Sequence, residues 1–236
     1  MVSIDDEHVP IVPTSEPGAD RSSGTAGGLV IAIDGPAGAG KSTVGRAVAA
    51  RLGLDYLDTG AMYRAVTFAI LRRGLDPSDD DAVAAICPGV ELDIGDDVVL
   101  VDGIDAGIEI RGREVTAAVS AVAANSRVRA DLVARQRSWV ERHGGGVVEG
   151  RDIGSVVFPD APLKLYITAS PRIRAERRVA EIGGEIDEVE RSIIERDRKD
   201  STRADSPLRE TSDATTVDTS GLRIDEVVAH VLELLP

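Results

Sequence analysis

The segment Gly35-Pro36-Ala37-Gly38-Ala39-Gly40-Lys41-Ser42 constrains this chain more than any other, because it follows directly on the continuous apolar run Leu29 to Ile33 and Asp34. A run of that kind predicts a central parallel strand covered on both faces. After the segment, Val44, Val48 and Leu52 recur at i, i+4 and i+8, and Gly53 stands where a glycine stops a helix. The segment thus matches G-x-x-x-x-G-K-[ST] in the required setting, between a strand and a helix. Glycines let the backbone turn its N–H groups inward around a phosphate, and the helix N-terminus adds partial positive charge. Residues Gly35 to Ser42, with Thr43, are therefore expected to cradle the phosphates of a nucleoside triphosphate. Lys41 should reach the β- and γ-phosphates, and the Ser42 hydroxyl should ligate Mg²⁺ directly or through a water. The loop alone leaves open a kinase, a GTPase or an ATP-driven machine.

The rest of the chain alternates strand and helix signals. Tyr56 to Asp58 reads as a short strand, followed by a helix from about Ala61 to Arg73. Val90–Leu92 and Val98–Val101, split by Gly95-Asp96-Asp97, read as a hairpin, with a further extended piece near Ile108. Helices are expected near Thr116–Asn125 and Arg127–Arg142, then a buried strand at Val147-Val148 and another at Leu163–Thr168. An Arg-rich helix opens at Pro171, a charged helix runs from about Asp187 to Asp200, and a strand Thr216–Asp218 leads to a last helix, Ile224–Leu235. Such alternation implies an α/β fold with a mostly parallel sheet and right-handed crossovers. Met1 to about Gly28, rich in Pro, Gly, Ser, Thr and acid with no apolar period, are expected to be a disordered tail.

Charge narrows the partners. With 236 residues the chain suffices for one principal domain, and its formal net charge of −14 opposes binding to nucleic acid or anionic membrane. A single cysteine, Cys87, excludes an intramolecular disulfide. The acidic N-terminus lacks the basic and apolar regions of a secretory signal. A cytoplasmic location and a monomer are the expectations. The arginines nonetheless bunch between Arg172 and Arg209. No N-K-x-D guanine-reading motif appears, which counts against a GTPase. Arg172, Arg174, Arg177 and Arg178 fall in the first two turns of the helix opened by Ser170 and Pro171, where cations oppose the helix dipole. An anion in the working state would justify them; pairing with Glu176 and Glu181 is the alternative. Arg64, placed in the first turn of its helix, poses the same question.

The string Asp58-Thr59-Gly60-Ala61-Met62-Tyr63-Arg64 closely resembles the bacterial cytidylate kinases, a branch of the nucleoside monophosphate kinase family, and the likeness runs from about Val30 to the C-terminus. It continues in Ile110-Arg111-Gly112-Arg113-Glu114-Val115, Arg127-Val128-Arg129, Glu149-Gly150-Arg151-Asp152-Ile153-Gly154, Val157-Phe158-Pro159-Asp160-Ala161, and Glu195 to Asp200 followed by Arg203. The resemblance implies an ATP-dependent kinase of CMP and dCMP, using Mg²⁺. It implies a core of about 29–60, 143–170 and 205–236, an acceptor-binding part of about 61–142 with an insert near 90–110, and an Arg-rich lid near 171–186.

On that resemblance the cytosine edge would meet Asp152, Arg129 and Thr59; the sugar hydroxyls Ser120, Arg196 and Asp200; and the acceptor phosphate Arg64, Arg151 and Arg203. Residues 196, 200 and 203 share a helix face, as a plain surface ion pair at 196 and 200 would also do. Lid arginines Arg172, Arg174 and Arg178 would join Lys41 on the transferred group. A phosphate acceptor is already ionised, so no general base is needed, and catalysis rests on alignment and charge.

Overall fold

The computed structural model describes residues 28–95 and 98–235. The expected tail therefore lies outside the described residues except for Gly28, as do Asp96 and Asp97 of the expected hairpin turn.

Five parallel strands form the central sheet: β1 (Val30–Asp34), β2 (Tyr56–Asp58), β6 (Gly146–Glu149), β7 (Leu163–Thr168) and β8 (Thr215–Asp218). Their order is β2-β6-β1-β7-β8, which puts β1 in the middle. The apolar run explains the position. Alternate residues of a strand face opposite sides. Ile31 and Ile33 enter one core with Val44, Val48, Leu165, Val217 and Val231, while Ala32 enters the other with Leu57, Val66, Val119, Leu132 and Val148.

Helices cover both faces. They are α1 (Lys41–Leu52), α2 (Thr59–Arg72), α3 (Asp80–Ile86), α4 (Arg113–Val122), α5 (Ser126–His143), α6 (Pro171–Ile182), α7 (Ile186–Thr202) and α8 (Ile224–Glu233). Gly53 ends α1 in the left-handed region with φ 64°, as its place in the sequence suggests. The short α3 has no counterpart among the sequence expectations; only Val83 and Ala84 are buried on it, too few to show a period. No helix among the described residues is long and apolar enough to cross a membrane.

The insert departs from expectation. It is a three-stranded antiparallel sheet of β3 (Leu92–Ile94), β4 (Val99–Val101) and β5 (Ile104–Asp105), and the extended piece expected near Ile108 lies earlier. The reason is local: Asp102 and Gly103 both have positive φ, 51° and 76°, a tight turn that reverses the chain at once after β4. Ile108 is 86% exposed and leads into a 3₁₀ turn. The insert sits on α2 through Ala61, Ala65 and Ala69, whose small side chains at i, i+4 and i+8 admit Val90, Val99, Val101 and Ile110.

Ala65 is fully buried in that contact. Ala65→Leu should overpack it and cost about 1–3 kcal/mol, read as a lower urea midpoint with unchanged m-value.

Candidate active site

All five strands deliver residues to the same end of the sheet. The glycine loop follows β1, Thr59 follows β2, Gly150 to Asp152 follow β6, Ser170 follows β7 and Thr219 follows β8. Ligands of open parallel sheets bind at that end, outside the carboxyl termini of the strands. Here a single cavity of about 930 Å³ reaches from the loop to α4, α5 and α7.

The loop is built as the motif requires. Gly35 has φ 144°, and a Cβ there would stand 1.9 Å from the Ile167 carbonyl oxygen, so β7 can lie against the loop only because this residue has no side chain. Gly38, Gly40, Lys41, Ser42 and Thr43 line the cavity together with Ala37, while Gly35, Pro36 and Ala39 of the same loop do not. Lys41, 6% exposed, donates from Nζ to the Pro36 carbonyl at 2.9 Å. Burial, and then the nearby Arg151 guanidinium, hold its ammonium well below the ordinary lysine range, against the pull of Glu149, Asp58 and Asp34. Asp34, at the end of β1, accepts from the N–H groups of Ile153 at 2.7 Å and Gly154 at 2.8 Å. It thereby fixes the turn carrying Arg151 and Asp152; burial raises its carboxyl to about 6 in spite of those bonds.

Glu149 is a candidate site residue that the sequence reading named only as part of a string. It closes the buried strand β6, and its Oε1 accepts from the Ser42 hydroxyl at 2.7 Å. Oε2 is buried and accepts no hydrogen bond, with the Tyr56 side chain beside the carboxylate. The available signal was its place: a carboxylate ending an apolar strand beside the loop strand. A hydroxyl and a carboxylate with one open oxygen make a hard oxygen donor set that fits Mg²⁺.

At the other end of the cavity stand Thr59, Arg64, Ser120, Arg129, Arg151, Asp152, Arg196, Asp200 and Arg203. Asp152 is buried in an ion pair with Arg129, and Arg203 Nη2 lies 3.7 Å from its other oxygen. Arg151 Nε donates to Asp200 Oδ2 at 3.0 Å, and the Thr59 hydroxyl donates to the Glu149 carbonyl at 2.7 Å. Arg64 Nη1 reaches the Ile110 carbonyl at 3.1 Å and Thr116 Oγ1 at 3.0 Å. Burial first, then Arg196, Arg111 and Arg178, bring its guanidinium down to about 10. Arg196 and Arg203 shift the same way, chiefly by burial. The buried nitrogens Arg129 Nε, Arg196 Nε and Arg203 Nη2 have no hydrogen-bond partner in the protein. Unmet buried donors are costly, and an anion at this end would satisfy those facing it.

Three expectations need correction. Arg64 lies in the second turn of α2, because Asp58 caps that helix by accepting from Ala61 N at 2.9 Å and the helix starts earlier than its apolar pattern. Arg172 does not line the cavity; it is half exposed and ion-paired with Asp187 and Glu190 of α7. Arg174 is buried outside the cavity wall, with its guanidinium on Ala169, Ala37 and Asp197. Arg178 does line the cavity, as does Arg177, which was absent from the expected site. Arg177 donates to Thr219 Oγ1 at 3.0 Å and to the Thr219 carbonyl at 2.7 Å.

A phosphate loop between the central strand and α1, sharing one cleft with a bank of guanidinium groups, defines an α/β P-loop kinase. The cytidylate kinase family model matches residues 31–236. A cytidylate kinase of Corynebacterium efficiens is 51% identical over 217 residues, covering 88% of this chain and 94% of that one. One of Mycobacterium leprae is 50% identical over 212 residues, covering 88% and 95%. The chain belongs to the cytidylate kinase family. Among solved structures, an uncharacterized protein from Eubacterium ventriosum is similar at a TM-score of 0.50 and 11% identity, over 87% of this chain and 96% of that one, a likeness of fold alone.

Because the fold depresses Lys41, arriving phosphates should restore its proton. ATP binding at mildly alkaline pH should therefore take up protons, seen as a binding enthalpy that varies with the ionisation enthalpy of the buffer. Lys41→Met should abolish that dependence; an enthalpy independent of buffer in the wild type would contradict the assignment.

Proposed function

We propose that the chain transfers the γ-phosphate of ATP to CMP and dCMP, giving ADP and the nucleoside diphosphate. The observation that carries this reading is the shared cavity, with the glycine loop at one end and the Asp152, Arg129 and Arg203 cluster at the other. Two ligands of opposite orientation can meet there through their phosphates.

At the donor end, Gly35 to Thr43 hold the triphosphate, and Lys41 moves from the Pro36 carbonyl to the β- and γ-oxygens. Ser42 and Glu149 would hold Mg²⁺, which would supply charge neutralisation at the triphosphate. At the acceptor end, Asp152 accepts from the amino group of cytosine while Arg129 and Thr59 meet its ring-nitrogen and carbonyl edge. Ser120, Arg196 and Asp200 meet the sugar. Arg64, Arg151 and Arg203 bind the acceptor phosphate, whose ionised oxygen attacks in line without a general base. Arg178 and Arg177 face the cavity from α6, and Arg178 is the lid guanidinium best placed to follow the transferred group. Residues of about 61–142 form the acceptor-binding part, about 171–186 the lid, and about 29–60, 143–170 and 205–236 the core. The reading includes a monomeric state and a cytoplasmic location, the latter in keeping with a single cysteine that leaves no intramolecular disulfide to form.

The test is ADP release with CMP, dCMP, UMP, AMP and dTMP as acceptors. CMP and dCMP should be phosphorylated at rates at least about a hundredfold above UMP, since a uracil carbonyl facing Asp152 sets two acceptors against each other where cytosine offers an amino donor. Arg203→Ala should lower acceptor turnover far more than ATP affinity. ATP binding without acceptor-dependent ADP release would point instead to a nucleotide-binding regulator.

A further inference from the structure

A loop that points its N–H groups at phosphates must point its carbonyls into the protein, where each needs a donor. The Pro36 carbonyl accepts from Lys41 Nζ at 2.9 Å and the Gly40 carbonyl from Val44 N at 3.0 Å. The Ala39 carbonyl accepts from Thr219 Oγ1 at 2.9 Å. Arg177 in turn holds that threonine. The Ala37 carbonyl accepts from Arg174 Nη1 at 3.1 Å. Two of the four donors thus trace back to α6, a helix whose arginines were expected to close over the γ-phosphate.

Arg174 is 3% exposed, and each of its guanidinium nitrogens has a different partner. Nε donates to the Ala169 carbonyl at the end of β7 at 2.9 Å, and Nη2 meets Asp197 Oδ2 on α7 at 2.6 Å. A planar fork is the only side chain able to serve three acceptors in these directions. Asp197 neutralises and orients it.

We infer that Arg174 is a positioning residue for the phosphate loop: with Asp197 orienting its fork, it holds the Ala37 carbonyl outward so that the loop stays open to the donor phosphates. This rests on the reading that the loop takes ATP. It sets Arg174 apart from the guanidinium groups that touch substrate. Its effect is on binding of any nucleotide with a β-phosphate, not on the transferred group.

The experiment is calorimetric titration of the full chain, as wild type, Arg174→Lys and Asp197→Asn, with ADP, a non-hydrolysable ATP analogue and CMP, alongside thermal melts and kcat at saturating ATP. Lysine keeps the charge beside Asp197 but cannot reach three acceptors. Arg174→Lys should weaken ADP and the analogue by the same factor, about tenfold. CMP affinity should stay within about twofold, and kcat at saturation should largely persist. Asp197→Asn should give a smaller loss in the same direction, and it carries the test if Arg174→Lys melts below the assay temperature. Loss confined to the triphosphate analogue with a collapse of kcat would overturn the inference in favour of direct γ-phosphate contact. An equal loss for CMP would overturn it in favour of general loosening, and unchanged affinities in both variants would overturn it alone. A wild type that binds neither ADP nor the analogue would overturn the donor-site reading as well.

Discussion

The glycine loop, with the carbonyls it turns toward the protein, sets the terms for everything around it. The carbonyls of Pro36, Ala37, Ala39 and Gly40 accept hydrogen bonds from the protein, which must supply those donors without placing a side chain in the way. Gly35 lies so close to β7 that a Cβ would overlap the Ile167 carbonyl; Lys41, from the end of the loop itself, meets the Pro36 oxygen, and Thr219 and Arg174 arrive from distant parts of the chain to meet those of Ala39 and Ala37. The order of the sheet follows from the same need. With β1 central, neighbouring strands on both sides bring their carboxyl ends to the loop: β6 supplies Glu149 to Ser42, and β7 supplies the Ala169 carbonyl that orients Arg174.

A second consequence is electrostatic. An acidic chain, net −14, gathers guanidinium groups in one cleft, where burial and mutual repulsion weaken their hold on the proton. Such a cluster survives because carboxylates are interleaved with it: Asp152 between Arg129 and Arg203, and Asp200 on Arg151. Buried ion pairs of this kind add little net stability. Their value lies in orientation, since a guanidinium held along one edge presents its remaining donors in a fixed direction.

How much of this was legible depended on how local its cause was. The strands, the loop and the helix stop at Gly53 were legible because each is decided by a run of neighbouring residues: apolar continuity, glycines where φ must be positive, and a helical period. The start of α2 was missed by two residues, since Asp58 captures the chain with its side chain before the apolar pattern begins. The third strand of the insert was misplaced for a similar reason; two positive φ values at Asp102 and Gly103 outweigh the weak apolar signal at Ile108. In the site, the acceptor residues named from the family resemblance line one cavity, and of the α6 arginines expected on the transferred group Arg178 lines it while Arg172 and Arg174 do not. Arg172, Arg174, Arg177 and Arg178 look alike in the sequence. Their spacing says which face of the helix each occupies, not what lies opposite that face.

The amino-acid sequence by itself determined the strand, loop and helix that grip a phosphate, the parallel α/β architecture, and the family, because those depend on short-range order and on motif strings. Only the tertiary structure decided which charged groups meet: that Glu149 closes on Ser42, that Asp34 ties the loop strand to the turn bearing Asp152, and that Arg174 braces the loop while Arg178 faces the cavity. These pairings join residues far apart in the chain, and their partners are set by how helices and strands pack, which no local pattern encodes.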